Sequence, residues 1–139
     1  MNTIAVDAMG GDSAPIDIVK GAVKAKEQGV DVVLCCDKDL INPYLENYEI
    51  PVFNFPQVIS MDEDPLRAIR NKKNASIVGC MQLLKDKKVQ AVFSAGSTGA
   101  TLISAISILG KHIGVIRPVI ASVLPSLVVI QSFLIQELV

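Results

Sequence analysis

The sequence has no tryptophan, one histidine, two tyrosines and aromatic residues at only 4% of its 139 positions. With a formal net charge of -1 it also has no cationic footprint for a polyanion, so no nucleic-acid partner is expected. The single histidine, His112, and three cysteines, Cys35, Cys36 and Cys80, make neither a zinc spacing nor a disulfide framework. No metal site is expected, and a reducing cytoplasm is the simplest compartment. A thiolate nucleophile would need an activating base nearby, so the cysteines are read as core and His112 as structural. The opening MNTIAVDAMGG has no basic stretch before its apolar residues and does not resemble a signal peptide. The apolar stretch from Val119 to Val139 is broken by Pro125 and by Ser122, Ser126, Gln131, Ser132, Gln136 and Glu137. A membrane span needs ~20 predominantly apolar residues, which makes this stretch a poor candidate.

What the chain does have is half hydrophobic residues and a length that supports one domain with a real core. Its organising stretch is AVFSAGSTGA, Ala91 to Ala100. A short apolar strand, Ala91 to Phe93, runs into the small-residue loop Ser94, Ala95, Gly96, Ser97, Thr98 and Gly99. An apolar helix is expected from about Ala100 to Leu109, with Gly110 just past its end. A strand ending in glycines and hydroxyls before a helix start gathers free N–H groups and the positive end of the helix dipole, which suits a phosphate. The same small residues also suit tight packing of a helix on a sheet, and the loop alone leaves both readings open.

A second strand–loop–helix unit opens the chain. Thr3 to Val6 leads to Asp7, then to a loop containing Gly10, Gly11 and Asp12, before Pro15 begins a helix that Gly29 ends. Asp7 and Asp12 are acceptors for a ligand or for the loop's own N–H groups. Asp31 to Cys36 reads as a buried strand. Asp37 to Asn47 reads as a helix with Leu40, Ile41, Tyr44 and Leu45 inward, and Ile50 to Phe55 as a strand that Pro51 and Pro56 consign to a sheet edge. Carboxylates at Asp62, Glu63 and Asp64 precede a helix starting at Pro65. Arg67, Arg70 and Lys73 would form a cationic stripe for a phosphate or an acidic partner, unless they are simply a solvated face. Asn74 is expected to cap a helix carrying Ile77, Met81 and Leu84, and Val119 to Leu124 to form a strand.

Four strings, IAVDAMGGDSAP (Ile4 to Pro15), MDEDPLRAIRNKKNAS (Met61 to Ser76), VFSAGSTGAT (Val92 to Thr101) and the IRP at Ile116 to Pro118, resemble in order and spacing the opening part of the bacterial phosphate acyltransferase (PlsX) family. The resemblance covers residues 1–125, and the apolar tail 126–139 is atypical for the family. It implies an α/β fold with a parallel-rich, three-layer sheet like that of isocitrate and isopropylmalate dehydrogenases, incomplete in this chain. It also implies transfer of a fatty acyl group from acyl carrier protein to inorganic phosphate, giving acyl phosphate for phospholipid synthesis. No cofactor is implied. Homodimers are, in the cytoplasm or peripheral to the inner face of the membrane. The phosphate or acyl phosphate would be bound by Asp7, Gly10, Gly11 and Asp12 of the first loop, by Ser94, Gly96, Ser97, Thr98 and Gly99, and by Arg67, Arg70 and Lys73; no catalytic base is identifiable. The family usually has asparagine at the place of Ser97 and often glycine at that of Cys36. A coenzyme A-dependent phosphate transacetylase and a non-catalytic phosphate-binding fragment are the alternatives. The short chain is expected to be inactive alone, and self-associating or marginally folded.

Overall fold

The computed structural model describes residues 2–45, 48–124 and 131–135. In chain order the elements are β1 (Thr3–Asp7), α1 (Ile16–Glu27), β2 (Asp31–Cys36), α2 (Lys38–Leu45), β3 (Val52–Asn54), α3 (Pro65–Asn71), α4 (Ser76–Lys85), β4 (Ala91–Ser94), α5 (Thr98–Ile108), β5 (Ile120–Leu124) and β6 (Gln131–Ile135). The first four strands form one all-parallel sheet in the order β3-β2-β1-β4. β5 and β6 form a separate antiparallel pair, with Ile120 opposite Ile135 and Leu124 opposite Gln131.

The parallel strands are apolar on both faces because helices cover both. Val6, Val32, Leu34 and Cys36 point into one core with Val19 and Ala22 of α1 and Ile41 of α2. Ala5, Val33 and Cys35 point the other way, onto Cys80 and Leu83 of α4. Leu34 is fully buried, and such a side chain contributes ~1.5–3 kcal/mol on transfer from water. A third cluster joins Ala68 and Ile69 of α3, Ile77, Val78 and Met81 of α4, and Ala100 and Ile103 of α5. The chain moves outward from β1 to β3 with its helices on one face, then returns to the far side of β1 with α4 on the other, as right-handed crossovers require.

Several expectations hold. β3 lies at a sheet edge, and Gly29 follows α1 with a φ of +85°. All three cysteines are free and buried. Others need correcting. Leu40 is 46% exposed rather than inward, since the eight-residue α2 turns only Ile41, Tyr44 and Leu45 toward α1. The expected end of that helix at Asn47 lies outside the described residues. Asn74 does not cap α4; Ala75 occupies that position, and Asn74 instead pairs its backbone with Gln57 through Gln57 N to Asn74 O (3.1 Å) and Asn74 N to Gln57 Oε1 (3.0 Å). α5 starts at Thr98, two residues earlier than expected, because Ser97 serves as its cap. α3 ends at Asn71, so Lys73 falls beyond it and does not extend the Arg67–Arg70 face. No helix among the described residues is long and apolar enough to cross a membrane.

One close packing makes a counter-intuitive prediction. In a helix interior alanine is favoured over glycine by ~1 kcal/mol, but a Cβ on Gly79 of α4 would collide with ring carbons of Phe55. Overpacking of this kind costs about 1–3 kcal/mol, so Gly79→Ala should lower the unfolding midpoint in urea despite its better propensity. A raised midpoint would show that Phe55 is free to move.

Candidate functional site

The sheet reverses its winding between β1 and β4, and loops 8–15 and 95–97 leave the C-terminal ends of those strands toward opposite faces. This is the place where open parallel sheets carry a crevice. Register puts Asp7, the last residue of β1, opposite Ser94, the last of β4. The two loops touch through backbone. A Cβ on Gly10 would lie 2.5 Å from Asp7 Oδ2 and 3.1 Å from the Gly96 Cα, and one on Gly96 would lie 3.0 Å from the Gly10 Cα. Gly11, at a φ of +118°, turns the first loop past Ala95 in a conformation that L side chains rarely adopt.

A short hydrogen-bond chain runs through this contact. The Gly96 N–H donates to Ser94 Oγ (3.1 Å), and Ser94 Oγ donates to Asp7 Oδ2 (2.7 Å). Asp7 is only 3% exposed, and its other oxygen, Oδ1, is buried without a hydrogen-bond partner. Beside it α5 begins. Ser97 Oγ accepts from the Ala100 N–H (3.2 Å), while helix geometry leaves the N–H groups of Thr98 and Gly99 with no carbonyl one turn back. Ser97 is thus an N-cap, a role asparagine fills equally well.

Two adjacent spaces result. A slot of about 10 Å³, room for one water-sized group, is lined by Asp7, Gly10, Ser94, Gly96, Ser97 and Thr101 among others. It shares Gly96, Ser97, Val58 and Ile59 with a cavity of about 230 Å³ that Gly11, Asp12, Ser60 and Met61 also line. The structure therefore brings together Asp7, Gly10, Gly11, Asp12, Ser94, Gly96 and Ser97. Thr98 and Gly99 lie in the first turn of α5 and line neither space. Arg67, Arg70 and Lys73 are exposed and also line neither.

Sequence reasoning missed the wall at Val58 to Met61 and the clamp that holds it. Lys72 Nζ donates to the Val58 carbonyl (2.7 Å) and pairs with Glu63, which also accepts from Ser60 N (2.9 Å) and Ser60 Oγ (2.7 Å). Both bonds run from Ser60 to the Glu63 carboxylate, and the S-x-x-E spacing of a capping box was the available signal. Lys72, Ser60 and the backbone hold the Glu63 carboxyl down at about 2. Among the described residues no group of three His, Cys, Asp or Glu side chains could hold a metal ion. Burial, then neighbouring Cys35 and carboxylates, push the Cys36 thiol up to about 12. The Cys80 thiol is raised too, chiefly by its hydrogen bond with Cys35 and by burial. Neither is a nucleophile at neutral pH.

The fold is that of a parallel α/β protein with a crevice at a topological switch point. A family model described as fatty acid synthesis protein matches residues 2–136, and the chain belongs to that family. Relatives named phosphate acyltransferase include those of Desulforamulus reducens, 47% identical over 131 residues (91% of this chain, 39% of the relative), and Gloeothece citriformis, 44% identical over 139 residues (96% and 40%). That of Dictyoglomus turgidum is 44% identical over 137 residues (94% and 41%). The chain thus spans about 40% of the length of these relatives.

Two measurements check the local assignments. Ser97→Ala should lower stability by about 1 kcal/mol while Ser97→Asn leaves it nearly unchanged, as read by denaturant unfolding; equal losses would remove the capping role. A carboxyl held below its unfolded value stabilises above the unfolded value, and this contribution is lost as pH falls through about 2. Stability of the wild type should therefore fall more steeply below pH 4.5 than that of Glu63→Gln. Parallel acid limbs would show that the clamp does not form.

Proposed function

We propose that this chain carries the phosphate-binding crevice of a phosphate acyltransferase, which moves a fatty acyl group from acyl carrier protein to inorganic phosphate and so makes acyl phosphate for phospholipid synthesis. The observation that carries the reading is the backbone contact of Gly10 with Gly96 beside the start of α5. No side chain intervenes there, and α5 begins at Ser97 beside a cavity large enough for a tetrahedral anion. Membership of the family and the names of the relatives support the chemistry. Phosphate is the attacking nucleophile, so a site that holds it by backbone dipoles positions it without fully neutralising its charge. Attack on the thioester carbon forms the acyl–phosphate bond and breaks the carbon–sulfur bond, leaving the carrier thiol.

The same reading extends outward. Arg67 and Arg70 on the exposed side of α3, with Lys73 just beyond it, offer charge for an acidic carrier rather than for the phosphate, in keeping with their absence from both cavities. The all-parallel sheet with helices on two faces fits the isocitrate and isopropylmalate dehydrogenase architecture. Homodimer formation and a cytoplasmic location, against the inner membrane face, belong to this reading as well, and the fully exposed Ile113 with Ile116 at 83% exposure supports the last.

A chimaera decides the matter: residues 2–124 of this chain replace the matching stretch of the Desulforamulus reducens phosphate acyltransferase. It should form acyl phosphate from acyl carrier protein thioesters and phosphate. Gly96→Val within it should raise the half-saturating phosphate at least ~10-fold, the equivalent of 1.4 kcal/mol, by forcing the two loops apart. An unchanged phosphate dependence would remove the crevice from the reaction, and activity with coenzyme A thioesters alone would replace the donor.

A further inference from the structure

The larger cavity joins two chemistries. The strand-end loops bring Gly11, Gly96 and Ser97 to it, while the segment after β3 brings Val58, Ile59 and Met61. Its volume of about 230 Å³ is that of about eight waters at ~30 Å³ each, so an inorganic phosphate fills only part of it. Ile59 is buried with α3, α4 and α5, which anchors the segment. Val58 and Met61, 36% and 55% exposed, belong to none of the three cores formed by the described residues. One exposed apolar side chain is ordinary. Two that line the same cavity, beside loops suited to an anion, fit a ligand that is charged at one end and apolar at the other.

The backbone that carries these two side chains is tied on both sides. Ahead of Val58, Gln57 N donates to Asn74 O (3.1 Å) and Ser76 N to Gln57 O (3.0 Å). Lys72 Nζ then holds the Val58 carbonyl (2.7 Å), and Ser60 N donates to Glu63 Oε1 (2.9 Å). Val58 and Met61 are thus presented from a fixed frame, and a ligand meets them without first ordering the segment. The start of α5 at Ser97, which lines the same cavity, favours negative charge there. Resting on the acyl transfer proposed above, we propose that Val58 and Met61 form the subsite for the first carbons of the acyl chain, with the phosphate end of the acyl phosphate at the Gly11 and Gly96 loops. Methylenes then cover apolar surface that is otherwise exposed, and each one buried is worth about a fourfold gain in affinity. The two residues are specificity determinants: they make affinity depend on the alkyl part of the ligand.

Alkyl phosphates carry the two ends of an acyl phosphate without its labile anhydride. Titration of the full 139-residue chain with inorganic phosphate, methyl phosphate and butyl phosphate, followed through amide chemical shifts, tests the subsite. Butyl phosphate should bind at least about 10-fold tighter than methyl phosphate, since the two share a head group and differ only in methylenes. Met61→Ser or Val58→Ser should reduce that ratio to below about 3-fold, while Met61→Leu, which keeps an apolar side chain of similar volume, should retain it. A ratio near unity in the wild type, or an unchanged ratio in both serine variants, would overturn the subsite while leaving the phosphate site standing. Failure of inorganic phosphate and of both esters to bind the wild type would overturn the phosphate reading itself. Should one serine variant fail to fold, the ratio in the other decides the question.

Discussion

A carboxylate at the end of an inner parallel strand cannot be left to itself. Asp7 sits between β2 and β4, in register with Cys35 and Ser94, and burial removes the water that would otherwise solvate it. The fold answers with one hydroxyl on one oxygen. To supply that hydroxyl, β4 must pair beside β1 in the register observed. To keep Ser94 oriented, the Gly96 N–H must reach back to it, which requires the two loops to meet without side chains. Sheet order and loop composition are thus tied to one buried carboxyl group.

The walls of the crevice have a different origin. On the sheet side they are rigid because helices on both faces bury the ends of the inner strands, from Ala5 to Asp7 in β1 and from Val32 to Cys36 in β2. On the open side the wall is an irregular segment, Val58 to Met61, and such a segment has no ladder to hold it. Lys72 substitutes for the ladder by binding the Val58 carbonyl and the Glu63 carboxylate together, with Ser60 closing the turn. Basic residues near one another in sequence therefore differ in use: Lys72 is engaged in structure, whereas Arg67, Arg70 and Lys73 face solvent.

Ser97 and Cys36 each have a local physical account. Ser97 caps α5 through its oxygen, so serine conserves the bond an asparagine would make. Cys36 is fully buried among Val32, Leu34 and Ile41, where a small apolar thiol fills space.

Much of this was legible in the sequence because it is local. The strands over Asp31–Cys36 and Ala91–Ser94, the stop at Gly29 and the edge character of the proline-flanked β3 follow from residue preference and spacing, and the strings around Gly10 and Gly96 mark the two loops that form the crevice. What the sequence could not decide was which residues separated by long stretches of chain would meet. Asp7 and Ser94 lie 87 positions apart, and only the β1–β4 pairing makes them partners. Helix phase put Arg67 and Arg70 on a common face but not toward the crevice, because the direction of that face is set by how α3 packs on α4 and α5. The unpaired oxygen of Asp7 is likewise a tertiary fact, since an unsatisfied acceptor exists only once burial has removed its water.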